Sequence, residues 1–210
     1  MTDAERLAGN GAGLIRERAL AARIQRALEA VYQLDRVADV GDFLRGAEAG
    51  EREVLLMHEA HDGALEVMLR LPRLQDSDAD LDALCQIIEG VSHFVYVAER
   101  ARTWRGTTKL ELELQAEVDK WVVLAASIHA FDESRSAALR ARLYEQVAFQ
   151  HDAAHESGER YRVANATANR FVRRLEREYV GAARYSEMRI ELRRFFQLGQ
   201  EEKLRLARSQ

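Results

Sequence analysis

Residues 80–128 decide the fold and read DLDALCQIIEGVSHFVYVAERARTWRGTTKLELELQAEVDKWVVLAASI. Apolar residues recur at steps of three and four in each half of this stretch, which places them on one face of a helix. Gly106, in the break between the halves, can take the left-handed conformation that ends a helix. Thr108 and Glu111 then form a capping box that begins the next one. Because the connection is short, the sequence predicts two antiparallel helices packed against each other.

Residues 53–71 alternate between apolar and polar on either side of Asp62-Gly63. Such alternation is typical of half-buried strands, and Asp-Gly is a strong signal for a two-residue hairpin turn. The sequence therefore predicts one β-hairpin, which must pack on the helices because an isolated hairpin is marginal in water. The expected register pairs Ala60 with Leu65, His58 with Val67 and Leu56 with Leu69.

The fold class that follows is α+β and predominantly α-helical. We expect an irregular helical bundle around the central antiparallel helix pair, with the β-hairpin attached. A hydrophobic share of 47% supplies a core, and a charged share of 31% with one proline fits long helices with solvated faces. We divide the chain into a helical core with the hairpin, residues 1–156, and a basic C-terminal helical segment packed on it, residues 157–210. The two parts form one domain.

Composition also bears on the compartment. No apolar run approaches the roughly 18 residues that a membrane span needs, and residues 1–13 lack the apolar stretch of a secretory signal. The single cysteine, Cys85, excludes a disulfide framework. The sequence therefore predicts a cytoplasmic protein with no membrane partner.

Charge is distributed unevenly along the chain. Residues 157–210 contain 13 Arg and Lys against 7 Asp and Glu, a balance of +6, while the remainder carries −10. An acidic body with a basic C-terminal third can bind a polyanion or associate with a copy of itself. We therefore predict a non-enzymatic interaction module or accessory subunit that contacts a protein partner, or a second copy in a homodimer, through these helices. Nucleic acid is an alternative partner. The candidate contact residues are Arg162, Asn165, Asn169, Arg170, Arg173, Arg174 and Arg177.

Enzyme function receives less support from the sequence. There is no Ser-His-Asp or Cys-His arrangement and no glycine-rich phosphate loop. His151 and His155 are four residues apart in a predicted helix, a spacing that gives a divalent metal two ligands from one face. The alternative function is therefore a metal-dependent helical enzyme that holds a divalent or transition metal; otherwise no cofactor is expected.

The central helix pair offers a second metal-ligand candidate. Glu89 and His93 are four residues apart on the first helix, and Glu113 and Glu117 repeat this spacing on the second. Helical proteins that bind two metal ions draw such residues inward from facing helices. However, Glu89 and Glu117 fall beside the apolar stripes, so the sequence favours a solvated helix flank for all four.

Overall fold

The computed structural model describes residues 14–36, 38–48, 51–59, 65–74, 81–147, 149, 152 and 155–208. Within these ranges the fold is predominantly helical α+β, as predicted. In chain order the elements are α1 (Ile15–Tyr32), α2 (Val40–Phe43), β1 (Leu44–Gly46), β2 (Val54–Glu59), β3 (Leu65–Leu71), α3 (Leu81–Arg102), α4 (Lys109–Ala126), α5 (Glu133–Tyr144), α6 (Glu156–Leu175), a π-helical turn (Glu176–Val180), α7 (Tyr185–Gln197) and α8 (Gln200–Arg208).

The central pair consists of α3 and α4, which pack against each other as predicted. The capping box is formed in both directions, because Glu111 N donates to Thr108 Oγ1 at 3.1 Å and Thr108 N donates to Glu111 Oε2 at 2.9 Å. The prediction for Gly106 is wrong. The left-handed residue is Trp104, with φ of 54°, because α3 ends at Arg102 and the reversal follows at once.

Helix α3 is buried on all sides, and every residue from Gln86 to Val97 lies inside. The neighbours that cover it are α4, α1 and strands β2 and β3. By length and hydropathy alone α3 could cross a membrane, yet 67% of its apolar window is buried within the fold. This burial is typical of a core helix.

The sheet has three strands in the order β1-β3-β2. Strands β2 and β3 are antiparallel, which confirms the hairpin, while β1 adds an unpredicted parallel strand through Leu44 opposite Leu69. Helix α2 is a single turn, and the chain extends from it directly into β1.

The predicted hairpin register is wrong by one residue. Leu55 lies opposite Leu69 and Met57 opposite Val67, while His58 faces Glu66 on the other side of the sheet. A slip of one residue moves every side chain of a strand to the opposite face. The observed register turns Leu55 inward against the buried Leu69, so burial outweighed the two-residue turn. The expected turn, Asp62-Gly63, lies outside the described residues.

A buried polar network joins α8 to the centre of the fold. Asp119 accepts hydrogen bonds from the Tyr32 hydroxyl, from Ser92 Oγ at 2.6 Å and from Gln115 Nε2 at 3.0 Å. Lys203 on α8 is fully buried and donates to Gln115 Oε1 at 2.5 Å. Four separate helices, α1, α3, α4 and α8, are thereby tied to one carboxylate.

Burial gives Lys203 a testable pH signature. Removal from water lowers the pKa of Lys203 to about 7, although Asp119 partly opposes this. Between pH 7 and the ordinary lysine value, the unfolded state holds a proton that the folded state does not, so stability from this residue rises with pH. Relative to Lys203→Met, the wild-type free energy of unfolding should rise by about 1.4 kcal/mol per pH unit from pH 7 to 9.

The measurement is urea denaturation of both proteins at pH 7, 8 and 9. Lys109→Met, at an exposed position, is the matched control and should differ from wild type by a constant amount. A constant difference for Lys203→Met as well would contradict the prediction.

Candidate metal centre

The centre begins with a close approach between the sheet and α3 at Gly90. A Cβ atom on Gly90 would lie 2.8 Å from a methyl group of Leu71 and 2.9 Å from one of Leu69. The same Cβ would lie 3.6 Å from Cβ of Glu53. The absence of a side chain therefore lets the sheet lie directly on α3, and this contact brings Glu53 next to Glu89.

Three potential metal ligands meet between α3 and α4. One ligand atom from each of Glu89, His93 and Glu113 lies within 4.8 Å of the other two. The three residues are only 7%, 8% and 8% exposed. His93 Nε2 and Glu113 Oε2 are 3.9 Å apart. The predicted solvated flank is therefore wrong for these residues, because the elements around α3 and α4 cover the sides of the helices as well as their apolar stripes.

One ring nitrogen of His93 lacks a hydrogen-bond partner among the described residues. Its Nε2 is buried and forms no hydrogen bond with any described residue. Burial lowers the pKa of His93, and the charge of Glu89 and a hydrogen bond with the Leu112 backbone only partly offset this. The imidazole is therefore neutral at physiological pH, which is the form that binds metal ions. An uncompensated buried nitrogen costs free energy, so a ligand at this position would relieve a real penalty.

Charge at the centre is unbalanced. Arg160 Nε lies 3.7 Å from Glu113 Oε1, and Lys120 Nζ lies 3.2 Å from Glu89 Oε2. Arg52 pairs with the exposed Asp82, and its charge also acts on Glu53 and Glu89. Among the described residues, the ionised carboxylates of the centre would therefore outnumber the nearby cations. The carboxylates are Glu53, Glu89, Glu113 and Glu117, and the cations are Lys120, Arg160 and Arg52, of which Arg52 is shared with Asp82.

The imbalance is reflected in the acidity of the carboxyl groups. Burial and the Glu89 charge raise the pKa of Glu53 to about 9 and that of Glu113 to about 8. Burial would raise the pKa of Glu89 too, but Lys120 and His93 together lower it below its usual value. Without an added cation, the centre thus holds protons in place of the missing positive charge.

A cavity of about 630 Å³ opens beside the centre. Glu89 lines this cavity and also belongs to the cluster, whereas His93 and Glu113 lie behind the lining residues. This volume is typical of small-molecule sites. Its polar lining residues include Glu53, Glu89, Glu117, Lys120 and Tyr161, together with the arginines Arg52 and Arg142. Its apolar lining residues include Leu81, Cys85, Leu143, Val147 and Phe149.

The other predicted metal ligands do not belong to the three-residue cluster. Glu117 reaches the centre only through Lys120, whose Nζ is 2.7 Å from Glu117 Oε1. The predicted helix that was to carry both His151 and His155 ends at Tyr144, so the shared helix face is wrong. His155 is exposed and caps α6 by accepting a hydrogen bond from Ser157 N at 3.2 Å. His151 lies outside the described residues.

The predicted basic contact surface is only partly available. Arg174 is mostly buried in an ion pair with Glu191, and Arg162 donates to Gly158 O at 3.0 Å and stacks on Phe149. Asn165 is buried, and Asn169 Oδ1 accepts from Arg140 at 3.0 Å. The exposed members are Arg170, Arg173 and Arg177, of which Arg173 and Arg177 face Glu145 and Glu178.

Three residues of the centre have no place among the predicted ligands: Glu53, Lys120 and Arg160. Glu53 precedes β2 and Arg160 lies on α6, so neither has a regular spacing to α3 or α4. Lys120 does carry a signal, because it is one of three lysines in a chain rich in arginine and follows Glu117 by one helical turn.

Comparison of the chain with known protein families, with curated proteins and with solved structures gave no match in any of the three.

Proposed function

We propose that this protein binds one divalent transition-metal ion through Glu89, His93 and Glu113 and acts as a metal-dependent enzyme on a small molecule that enters the adjoining cavity. One observation supports this most directly: His93 Nε2, which has no hydrogen-bond partner among the described residues, lies among buried carboxylates that outnumber the nearby cations. A divalent cation would give this nitrogen a bonding partner and would balance the excess negative charge of the carboxylates. This is the metal-dependent alternative from the sequence, with three of the candidate ligands that the sequence offered on the central helix pair.

The ligand set indicates which metals fit. Imidazole suits zinc and iron, while carboxylates suit manganese and magnesium, so a mixed set favours Mn²⁺, Fe²⁺ or Zn²⁺. Ligand atoms about 2.1 Å from a tetrahedral ion are about 3.4 Å apart, so the three atoms, which lie within 4.8 Å of one another, must move closer together when an ion binds. Three protein ligands beside a cavity leave a position for water or substrate, which is the arrangement of catalytic rather than structural sites.

The first test is metal content. Protein purified without chelator and then equilibrated with Mn²⁺ or Zn²⁺ should retain about one ion per chain by elemental analysis after desalting. His93→Ala should lose this ion, because only two carboxylate ligands remain. His155→Ala, which changes an exposed histidine outside the centre, is the matched control and should retain it. A wild-type protein with far less than one ion per chain would refute the proposal.

A second candidate function follows from the charge asymmetry of the sequence. The exposed Arg170, Arg173 and Arg177 support a contact with an acidic partner, which includes the acidic body of another copy. We infer that this contact is the weaker candidate function, because the other proposed contact residues are buried or form contacts within the chain. A cytoplasmic location accords with both candidates. Analytical ultracentrifugation at low and high salt tests self-association, and a gel shift at low salt tests nucleic-acid binding.

A further inference from the structure

Lys120 has an unusual position for a lysine. Its Nζ lies 3.2 Å from Glu89 Oε2 and 2.7 Å from Glu117 Oε1, and the residue is only 8% exposed. Burial lowers the pKa of Lys120, but Glu117 and Glu89 raise it by more, so the pKa ends well above its ordinary value. The ammonium group therefore remains charged inside the protein.

Glu89 is shared between this ammonium and the proposed metal ligands. Its carboxylate belongs to the cluster with His93 and Glu113, and one of its oxygens also accepts from Lys120. In helical two-metal sites, carboxylates from facing helices bind both ions, which are about 3.5–4 Å apart. Glu89 has the arrangement of such a bridging carboxylate, because it contacts the proposed metal site on one side and the Lys120 ammonium on the other. The second cation in this chain is therefore a lysine side chain.

We propose that the Lys120 ammonium occupies the position of a second metal ion, so that Glu89 and Glu117 hold a covalently attached cation and the centre binds a single metal ion. This inference rests on the proposed function, since it concerns the same centre. It assigns Lys120 as a positioning residue, which fixes the orientation of the Glu89 carboxylate toward the metal. It also explains why Glu117 lies beside the centre and yet not among the three clustered ligands.

The test is the number of metal ions bound by Lys120→Ala. Removal of the ammonium leaves Glu89 and Glu117 without their cation and leaves space between them, so the variant should bind two ions per chain where the wild type binds one. Mn²⁺ and Zn²⁺ are the probes, and equilibrium dialysis with elemental analysis gives the stoichiometry. Lys109→Ala, on the same helix but exposed, should bind one ion.

A double variant separates the proposed exchange of cations from simple damage to the fold. Lys120→Met combined with Glu117→Gln removes the ammonium and one of its carboxylate partners, so it should fold and bind one ion. If Lys120→Ala unfolds without metal, saturating metal should restore its circular dichroism spectrum, because a second ion supplies the lost charge.

The outcomes separate the two proposals. A wild-type protein that binds no ion refutes the proposed function itself. A wild type that binds one ion together with a Lys120→Ala variant that also binds one refutes only the role of Lys120. That role is likewise refuted if Lys120→Ala stays unfolded at saturating metal while the double variant folds.

Discussion

Asp119→Ala is expected to lower the free energy of unfolding by about 3–5 kcal/mol, the usual cost of removing one member of a buried charged network. Asp119 is 1% exposed and accepts hydrogen bonds from Tyr32, Ser92 and Gln115. Alanine leaves all three donors without this acceptor, and each unsatisfied buried group costs about 1–3 kcal/mol. It also removes the carboxylate that favours the charged form of the buried Lys203.

Urea denaturation at pH 7.5, followed by circular dichroism, measures this effect. Asp119→Asn keeps the size of the side chain and one acceptor oxygen, so its destabilisation should be smaller. Asp42→Ala, at an exposed position, should change stability by no more than about 0.5 kcal/mol. A loss below about 1 kcal/mol for Asp119→Ala would show that water or side-chain rearrangement satisfies the donors instead.

The central helix pair was predictable because its signals are local. Apolar spacing, a short connection and the capping box of Thr108 and Glu111 all act within a few residues, and all three appear in the structure. The two mistakes nearby have a different origin. The hairpin register depended on burial of Leu55 against Leu69, and β1 depended on pairing with a strand more than 20 residues away. Strand register and strand pairing of this kind depend on contacts between distant segments, so the local sequence of one segment does not determine them.

The solvated-flank prediction for Glu89 and His93 failed for a reason that the sequence partly contained. Residues 86–97 include Ile87, Phe94, Tyr96 and Val97 in addition to the expected stripe, so apolar side chains surround the helix. A helix that is apolar all round is buried all round, and its polar residues are then buried with it. Glu53 and Arg160 had no comparable signal, because only the tertiary contacts of the sheet and α6 bring them to the centre.

Glu113→Gln is expected to change metal binding and stability in opposite directions. Loss of a ligand oxygen should weaken Mn²⁺ or Zn²⁺ binding by about 100-fold or more, since even outer partners of metal ligands contribute about 10–100-fold. The metal-free variant should nevertheless be more stable than wild type at pH 8 by about 2 kcal/mol. Glutamine keeps the shape of the side chain while it removes an acid whose ionisation is disfavoured by burial and by Glu89.

The sign of the stability change follows from linkage. The pKa of Glu113 is raised to about 8, so its contribution to stability is complete below the unfolded value near 4.5 and is lost as pH rises toward 8. Glutamine does not titrate, and the advantage of the variant should therefore grow across that window in urea denaturation with chelator present.

Glu156→Gln is the matched control for this prediction, because Glu156 also lies 3.7 Å from Arg160 but its side chain is 90% exposed. It should alter neither metal affinity nor stability to a measurable extent, since exposed ion pairs contribute little. If Glu113→Gln instead destabilised the metal-free protein at pH 8, the buried carboxylate would be a structural partner of Arg160. The cluster would then exist for stability, because a centre built to bind a cation is expected to sacrifice stability when the cation is removed.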